Sequence, residues 1–296
     1  MSAIKSFSVG NGDMFYVEHA SDNFTIIDCC IDDISAESIL GEISRLSKAK
    51  GITRFISTHP DEDHLQGLER LDDKISIWNF YVVQNAATKD DETDSFKRYR
   101  KLRDGDKAFY IYKGCSRKWM NKGDEPPGRG QSGIEILWPD TSSDKHAEAL
   151  QQAADGEAFN NMSAVIKYSL QDGVTALWMG DLETDYMEDI EEKLDIPEID
   201  ILFAPHHGRD SGKVPCSLLE KMKPKLIVIG EAPSEHLNYY AGYNTITQNS
   251  AGDIIFDCVK GKCHIFVLNR GYEVDYLDDE AQSMKGYYYI GTLKVG

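Results

Sequence analysis

The segment Ile52-Thr53-Arg54-Phe55-Ile56-Ser57-Thr58-His59-Pro60-Asp61-Glu62-Asp63-His64 sets the architecture of the whole chain. Ile52 to Ser57 is an apolar run bounded by Gly51 and by His59-Pro60, too short for an ordinary helix, so it is expected to be a buried strand. The six positions that follow, His59 to His64, hold two imidazoles and three carboxylates. Carboxylates packed this closely repel one another unless a cation compensates them. The bland alternative is an acidic cap at the start of a helix, with Asp61 or Asp63 as the cap and the histidines incidental.

Outward from this segment the chain alternates between strand and helix signals. Phe7 to Val17 and Phe24 to Asp28 are β-rich runs, Ala36 to Lys48 carries a helical apolar stripe, and Ile75 to Val83 is expected to be another strand. Residues 85–133 break the rhythm and are expected to form an insertion that ends in a Gly/Pro-rich loop from Gly123 to Gly133. Ile134 to Trp138 resumes as a strand, and Val165 to Leu170 with Thr175 to Met179 form a hairpin about Asp172-Gly173. A short acidic helix over Tyr186 to Leu194 precedes the apolar runs Ile199 to Ala204 and Leu226 to Ile229, which flank a helix over Cys216 to Met222. Strands at Ile254 to Val259, Cys263 to Leu268 and Tyr287 to Val295 close the chain. With no repeat and no long linker, a single α/β domain over 1–296 is expected.

Two more apolar runs end in residues able to bind metal. Ala176-Leu177-Trp178-Met179-Gly180-Asp181 delivers a carboxylate, and Ala204-Pro205-His206-His207-Gly208 delivers paired imidazoles. Strand ends that each supply His or Asp are the pattern of a metal site assembled from loops along one rim. The HPDEDH segment, the later Gly-Asp and the Pro-His-His-Gly, in that order, resemble the metallo-β-lactamase superfamily. Within it the chain is most similar to the hydrolase domain of the ComEC-type competence branch. Phe7-Ser8-Val9-Gly10-Asn11-Gly12-Asp13 resembles that branch's opening D-V-G-Q-G-D, and Asn160-Asn161-Met162-Ser163 its N-N-x-S.

The resemblance implies an αββα four-layer sandwich and a metal-dependent hydrolase. It implies one metal position at His59 and Asp61, and a second at Asp63, His64 and one of His206 and His207, with Asp181 bridging. His206 is favoured as the ligand, which leaves His207 to contact substrate or leaving group. Aspartate replaces the motif's middle histidine at Asp61, and no histidine lies near Asn160. This oxygen-rich set points to one or two ions of zinc or manganese. The implied chemistry is attack by a metal-activated hydroxide, with Asp63 orienting the water and His207 or Lys213 assisting the departing alkoxide. Asn160, Asn161, Ser163 and Arg209 are placed at the substrate.

Charge narrows the substrate. Of 296 residues, 50 are acidic and 32 basic, for a net charge of −18, which counts against indiscriminate binding of duplex nucleic acid. The segment Phe96 to Gly123 nevertheless carries ten basic residues against two acids, about +8, with Phe96, Tyr99, Phe109, Tyr110, Tyr112 and Trp119 interleaved. Cations with aromatics suit single-stranded nucleic acid. The alternative is a helix paired with the acids just before it, its aromatics forming local core. Arg209, Lys213, Lys221, Lys223 and Lys225 follow the paired histidines and favour an anionic phosphoester. The expected function is therefore a phosphodiesterase or nuclease, with single-stranded nucleic acid one candidate partner and a larger assembly one setting. Hydrolysis of another small ester, or a weakly metallated regulatory subunit, are the rivals. Six cysteines without CxxC pairs, no signal peptide and no long apolar run lead to the expectation of a cytoplasmic chain with free thiols and no membrane partner. Cys258 and Cys263 are expected to face each other across a hairpin. His19, His146, His236 and His264 have no partner motif.

Overall fold

The structure, a computed structural model describing residues 2–124, 128–231 and 239–296, gathers the apolar runs into two mixed sheets. Strands β1 (Ser2–Ser6), β2 (Phe15–Glu18), β3 (Asn23–Ile27), β4 (Ile52–Ser57), β5 (Phe80–Val82) and β6 (Ala108–Tyr110) enter the larger sheet. The smaller takes β7 (Ile134–Trp138), β8 (Val165–Ser169), β9 (Thr175–Trp178), β10 (Ile201–Phe203), β11 (Leu226–Ile229) and β12 (Thr245–Thr247). The chain then returns to the first sheet with β13 (Ile254–Val259), β14 (Lys262–Val267) and β15 (Tyr288–Lys294), giving the orders β15-β14-β13-β1-β2-β3-β4-β5-β6 and β12-β11-β10-β9-β8-β7.

The sheets meet face to face through aromatic side chains. Phe15 of β2 packs edge-on against Trp178 of β9 and Phe203 of β10, and Phe203 also meets Phe256 of β13. Helices α1 (Ala36–Ser47), α2 (Leu68–Ile75) and α3 (Asp94–Arg103) belong to the larger sheet, where Glu42 of α1 accepts hydrogen bonds from Lys5 and Tyr16. Helices α4 (Asp144–Ala154), α5 (Thr184–Ile190) and α6 (Cys216–Met222) belong to the smaller. There Trp138 packs edge-on against His146 of α4 and Tyr186 of α5. The αββα sandwich is thus the fold. No described helix is long and apolar enough to cross a membrane.

Strand direction creates a functional edge. β3 to β6 run parallel, β9 to β12 run parallel, and β7 runs with β9 because two antiparallel pairings separate them. The carboxyl ends of all these strands therefore open on one rim, the usual ligand side of such sheets.

Two expectations need correction. Phe7 to Met14 is a loop, closed by the Phe7 N–H on the Met14 carbonyl at 3.0 Å, and only Phe15–Glu18 is strand. Ile75 ends α2, whose buried Leu68 and Leu71 stand at helical spacing; Ser76 turns left-handed, and only Phe80–Val82 joins the sheet. Inside the expected insertion, α3 buries Phe96, Tyr99 and Leu102, and β6 pairs in parallel with β5, so this stretch extends the larger sheet by one strand. The Gly123 to Gly133 loop falls partly, and His236 wholly, outside the described residues. Cys258 and Cys263 are register partners with sulfurs 3.6 Å apart, both free thiols.

Candidate metal centre

The site is built from strand ends of both sheets. After β4, Pro60 breaks the strand and the Asp61 side chain accepts the Glu62 N–H at 2.9 Å, capping a short 3₁₀ turn over Glu62–His64 that swings Asp63 and His64 to the rim. After β9, Gly180 adopts φ +53°, and a Cβ there would lie 2.6 Å from Ser163 Oγ. Glycine is therefore required where the chain turns to present Asp181. After β10, His206 and His207 both take positive φ (51° and 56°) before Gly208 at 84°. Non-glycine residues rarely accept this conformation, and such strain concentrates at functional sites.

Asp181 is the hub. Its Oδ1 lies 3.0 Å from His64 Nε2, and its Oδ2 lies 3.6 Å from His207 Nε2, 3.8 Å from His206 Nε2 and 3.9 Å from His59 Nε2. His207 sits between Asp13, 3.2 Å from Nδ1, and Asp63, 3.3 Å from Nε2. Asp28 anchors the back of the site: its carboxylate meets His64 Nδ1 at 2.9 Å and accepts from the Thr58 N–H and hydroxyl. Carboxylates that bond the far nitrogen of a ligand histidine fix its tautomer and orientation.

The charges are strongly coupled. Against the pull of burial, Asp181 and then Asp28 raise His64 well above the usual imidazole range. Asp13 and Asp181 likewise carry His207 up to about 10 despite its burial. Burial opposes the ionisation of Asp181, but His64 and His207 hold its carboxyl well below the usual range. His59 behaves oppositely, since burial and then the neighbouring His64 lower it to about 4.

Asp13, His64, Asp181 and His207 each turn one ligand atom into a space where these atoms lie within 4.8 Å of one another, and all four residues are buried. Despite this crowding, His59 Nε2, His64 Nε2, His207 Nδ1 and Asp181 Oδ1 make no hydrogen bond among the described residues. Buried nitrogen and oxygen atoms that converge as close ion pairs without well-aligned hydrogen bonds fit a divalent cation better than they fit a protein-only network.

The structure brings His59, Asp63, His64, Asp181, His206 and His207 together and sets other expected residues apart. Asp61 turns outward to its cap and to Lys89 Nζ at 3.2 Å, so for this residue the capping role is the one realised. His207, rather than the favoured His206, lies in the four-residue cluster. His206 stands at its edge with Nδ1 2.8 Å from Ser211 Oγ. The Asn160 and Asn161 amides both bond the Glu183 carboxylate, and buried Ser163 Oγ accepts the Asp181 N–H. These three brace the Asp181 loop. Arg209 donates to Asn11, joining two rim loops, and Lys213 lies over the Tyr239 ring.

Lys221, Lys223 and Lys225 pair with Glu191, Glu198 and Asp200. Lys223 and Lys225 lie just before β11, at the end opposite the rim, because a crossover helix returns the chain to the start of the next parallel strand. In the basic segment, Arg98 pairs with Asp72 and Asp73, Arg100 with Glu92 and Arg103 with Asp104, while Phe96 and Tyr99 are fully buried. Asp13 and Asp28 are the site residues that sequence reasoning did not assign. Asp13 closes the Phe7–Asp13 motif, so its signal was present, whereas Asp28 carries none beyond following a strand.

A two-sheet sandwich whose facing strand ends converge on a buried Asp/His cluster defines a protein able to hold a divalent cation at its rim. Among solved structures, the chain is similar to a protein assigned as a zinc-dependent hydrolase of the metallo-β-lactamase superfamily from Thermotoga maritima. The identity is 13%, over 79% of this chain and 78% of that one, with a TM-score of 0.34. It is also similar to a metallo-β-lactamase with a HARLDQ motif from Cronobacter sakazakii, 16% identical over 67% of this chain and 76% of that one, with a TM-score of 0.35. No family model and no curated protein matches it. What this chain can do is decided by the residues on its rim.

Proposed function

We propose that the chain is a metal-dependent hydrolase of the metallo-β-lactamase type that cleaves a phosphodiester of nucleotide size. The observation that carries this is the set of converging ligand atoms on Asp13, His64, Asp181 and His207, all within 4.8 Å of one another and all buried. These four residues would hold the cation, with His59, Asp63 and His206 flanking it, and the mixture of imidazole and carboxylate suits zinc or manganese. A bound divalent cation supplies an acidified water and neutralises charge on the attacked ester.

The chain's own residues do the remaining work. Asp63, half-buried and held ionised at about 2 by His207 despite its partial burial, is placed to accept a hydrogen bond from an incoming water and orient it. Lys89, bonded to Asp61 at the cluster's edge, offers a cation to a phosphoryl oxygen. Substrates of nucleotide size are favoured over a long strand because Arg98, Arg100 and Arg103 of the basic segment are paired with carboxylates and Phe96 and Tyr99 are buried. Paired arginines leave little to track a long phosphate backbone, while Tyr110 and Tyr112, the segment's exposed tyrosines, suit a single base.

The test is metal analysis of the purified protein together with hydrolysis of bis(p-nitrophenyl) phosphate, with and without chelator. Bound zinc or manganese and chelator-sensitive turnover are expected. Asp181→Ala should lose metal and lower turnover by more than about a hundredfold, the upper end for residues that merely brace ligands, while far-ultraviolet circular dichroism stays unchanged. Metal-free protein after loading, or turnover indifferent to chelator, would overturn the proposal.

A further inference from the structure

Two strands along the rim from the cluster lies a cavity of about 610 Å³. Its walls follow the carboxyl ends of β5, β6 and β7 and include one side of α4, so it opens on the same edge as the cluster. Adjacent strands are about 4.8 Å apart, which places the cavity roughly 10 Å from the residues that follow β4 and β9. Lys89, three residues beyond the wall residue Ala86, reaches back to Asp61 and bridges the two places.

The lining is chemically specific. Val83 and Leu150 make it apolar, Tyr110 and Tyr112 stand partly exposed at 40% and 46%, and among the described residues no Lys, Arg, Asp or Glu lines it. His146 also lines it, although only 3% exposed. Burial lowers this imidazole to about 4, so at neutral pH it is uncharged, with one nitrogen donating and the other accepting.

We infer that this cavity binds the uncharged heteroaromatic base of a nucleotide substrate, stacked on Tyr110 or Tyr112 and hydrogen-bonded to His146, while the phosphate lies at the Asp/His cluster beside Lys89. Tyrosine faces accept planar rings, the uncharged walls exclude phosphate and carboxylate groups, and the neutral imidazole of His146 in the wall can exchange a hydrogen bond with a base edge. The inference rests on the phosphodiesterase proposal for its reacting group and adds the group that is recognised.

The experiment has two arms. Calorimetric titration of thymidine 5′-monophosphate into metal-free protein reads the cavity without turnover. Binding is expected, weakened about tenfold in Ala147→Trp, which places an indole over the mouth from the exposed face of α4, and also in His146→Phe. In the metal-loaded protein, the ratio of kcat/KM for thymidine 5′-monophosphate p-nitrophenyl ester to that for bis(p-nitrophenyl) phosphate is expected to fall about tenfold in the same variants. No binding to the wild type, or binding and a ratio that neither variant alters, overturns the base site. Nucleotide binding lost in the variants without any metal-dependent turnover keeps the base site and overturns the phosphodiesterase proposal instead.

Discussion

At the scale of single residues, Asp181 and Asp28 divide the electrostatic labour of the site. Asp181 faces four imidazoles, whereas Asp28, behind the cluster, touches His64 Nδ1 and the Thr58 backbone. Replacing such a backing carboxylate commonly costs about 10- to 100-fold in metal affinity. Asp28→Asn is therefore expected to weaken metal binding by that amount in a competition assay with a chromophoric chelator, with the ligands themselves intact. A cation must also displace the protons that the carboxylates place on His64 and His207, both raised above the usual imidazole range. Metal binding near neutral pH should release about two protons. Calorimetry in two buffers of different ionisation enthalpy reads that number directly, and a heat independent of buffer would show that the histidines were already neutral.

At the scale of elements, the strand-to-loop joints carry the strain that aims the ligands. Gly180 combines φ +53° with a close approach to Ser163 and Thr58, whereas Gly41 lies in α1 with nothing within 4 Å of an added Cβ. Gly180→Ala should destabilise the protein by about 1–3 kcal/mol and displace Asp181. Gly41→Ala should stabilise it by about 0.5–1 kcal/mol, since alanine in an open helix loses less entropy on folding. Urea denaturation of both variants tests this, and equal effects would refute the account of the joint. The same joints explain what was legible. His59, Asp63, His64, Asp181 and the His-His pair stood in the sequence because each follows a strand directly. Asp13 was harder to assign because its loop reads as strand, with β-formers on both sides of two glycines. The smaller shift of β5 has the same origin, because Ile75 and Ile77 suit a strand as well as the end of α2.

At the scale of the molecule, buried neutral imidazoles set how the fold responds to acid. His146 is lowered to about 4 by burial, and burial, with Arg54 beside it, also lowers His19 well below the usual imidazole range. Below about pH 6.5 the unfolded chain takes up protons that these folded sites refuse, so stability falls as pH drops from 6.5 towards 4. For His146 alone the loss by pH 4 is about 3 kcal/mol, because each tenfold difference in proton affinity between the folded and unfolded chain is worth about 1.4 kcal/mol. His146→Phe should flatten that part of the dependence, measured as the urea midpoint between pH 4 and 7 on metal-free protein. An unchanged slope would mean that His146 is hydrated in solution. The net charge of −18 acts at this scale too, but the fold distributes it: carboxylates neutralise the arginines of α3, and others collect at the rim, where a cation is expected.

The sequence alone determined the alternation of strands and helices and which strand ends carry histidine and aspartate, because these follow from local periodicity and from what interrupts it; the αββα arrangement was expected from the resemblance of its motifs. Only the tertiary structure decided that His207 and Asp13 join the four-residue cluster, that Asp61 turns away to Lys89, and that Asn160 and Asn161 brace Glu183. Those outcomes depend on the direction in which a side chain leaves a left-handed turn or a 3₁₀ cap. They depend equally on which loop from the other sheet lies opposite, and neither is encoded in spacing along the chain.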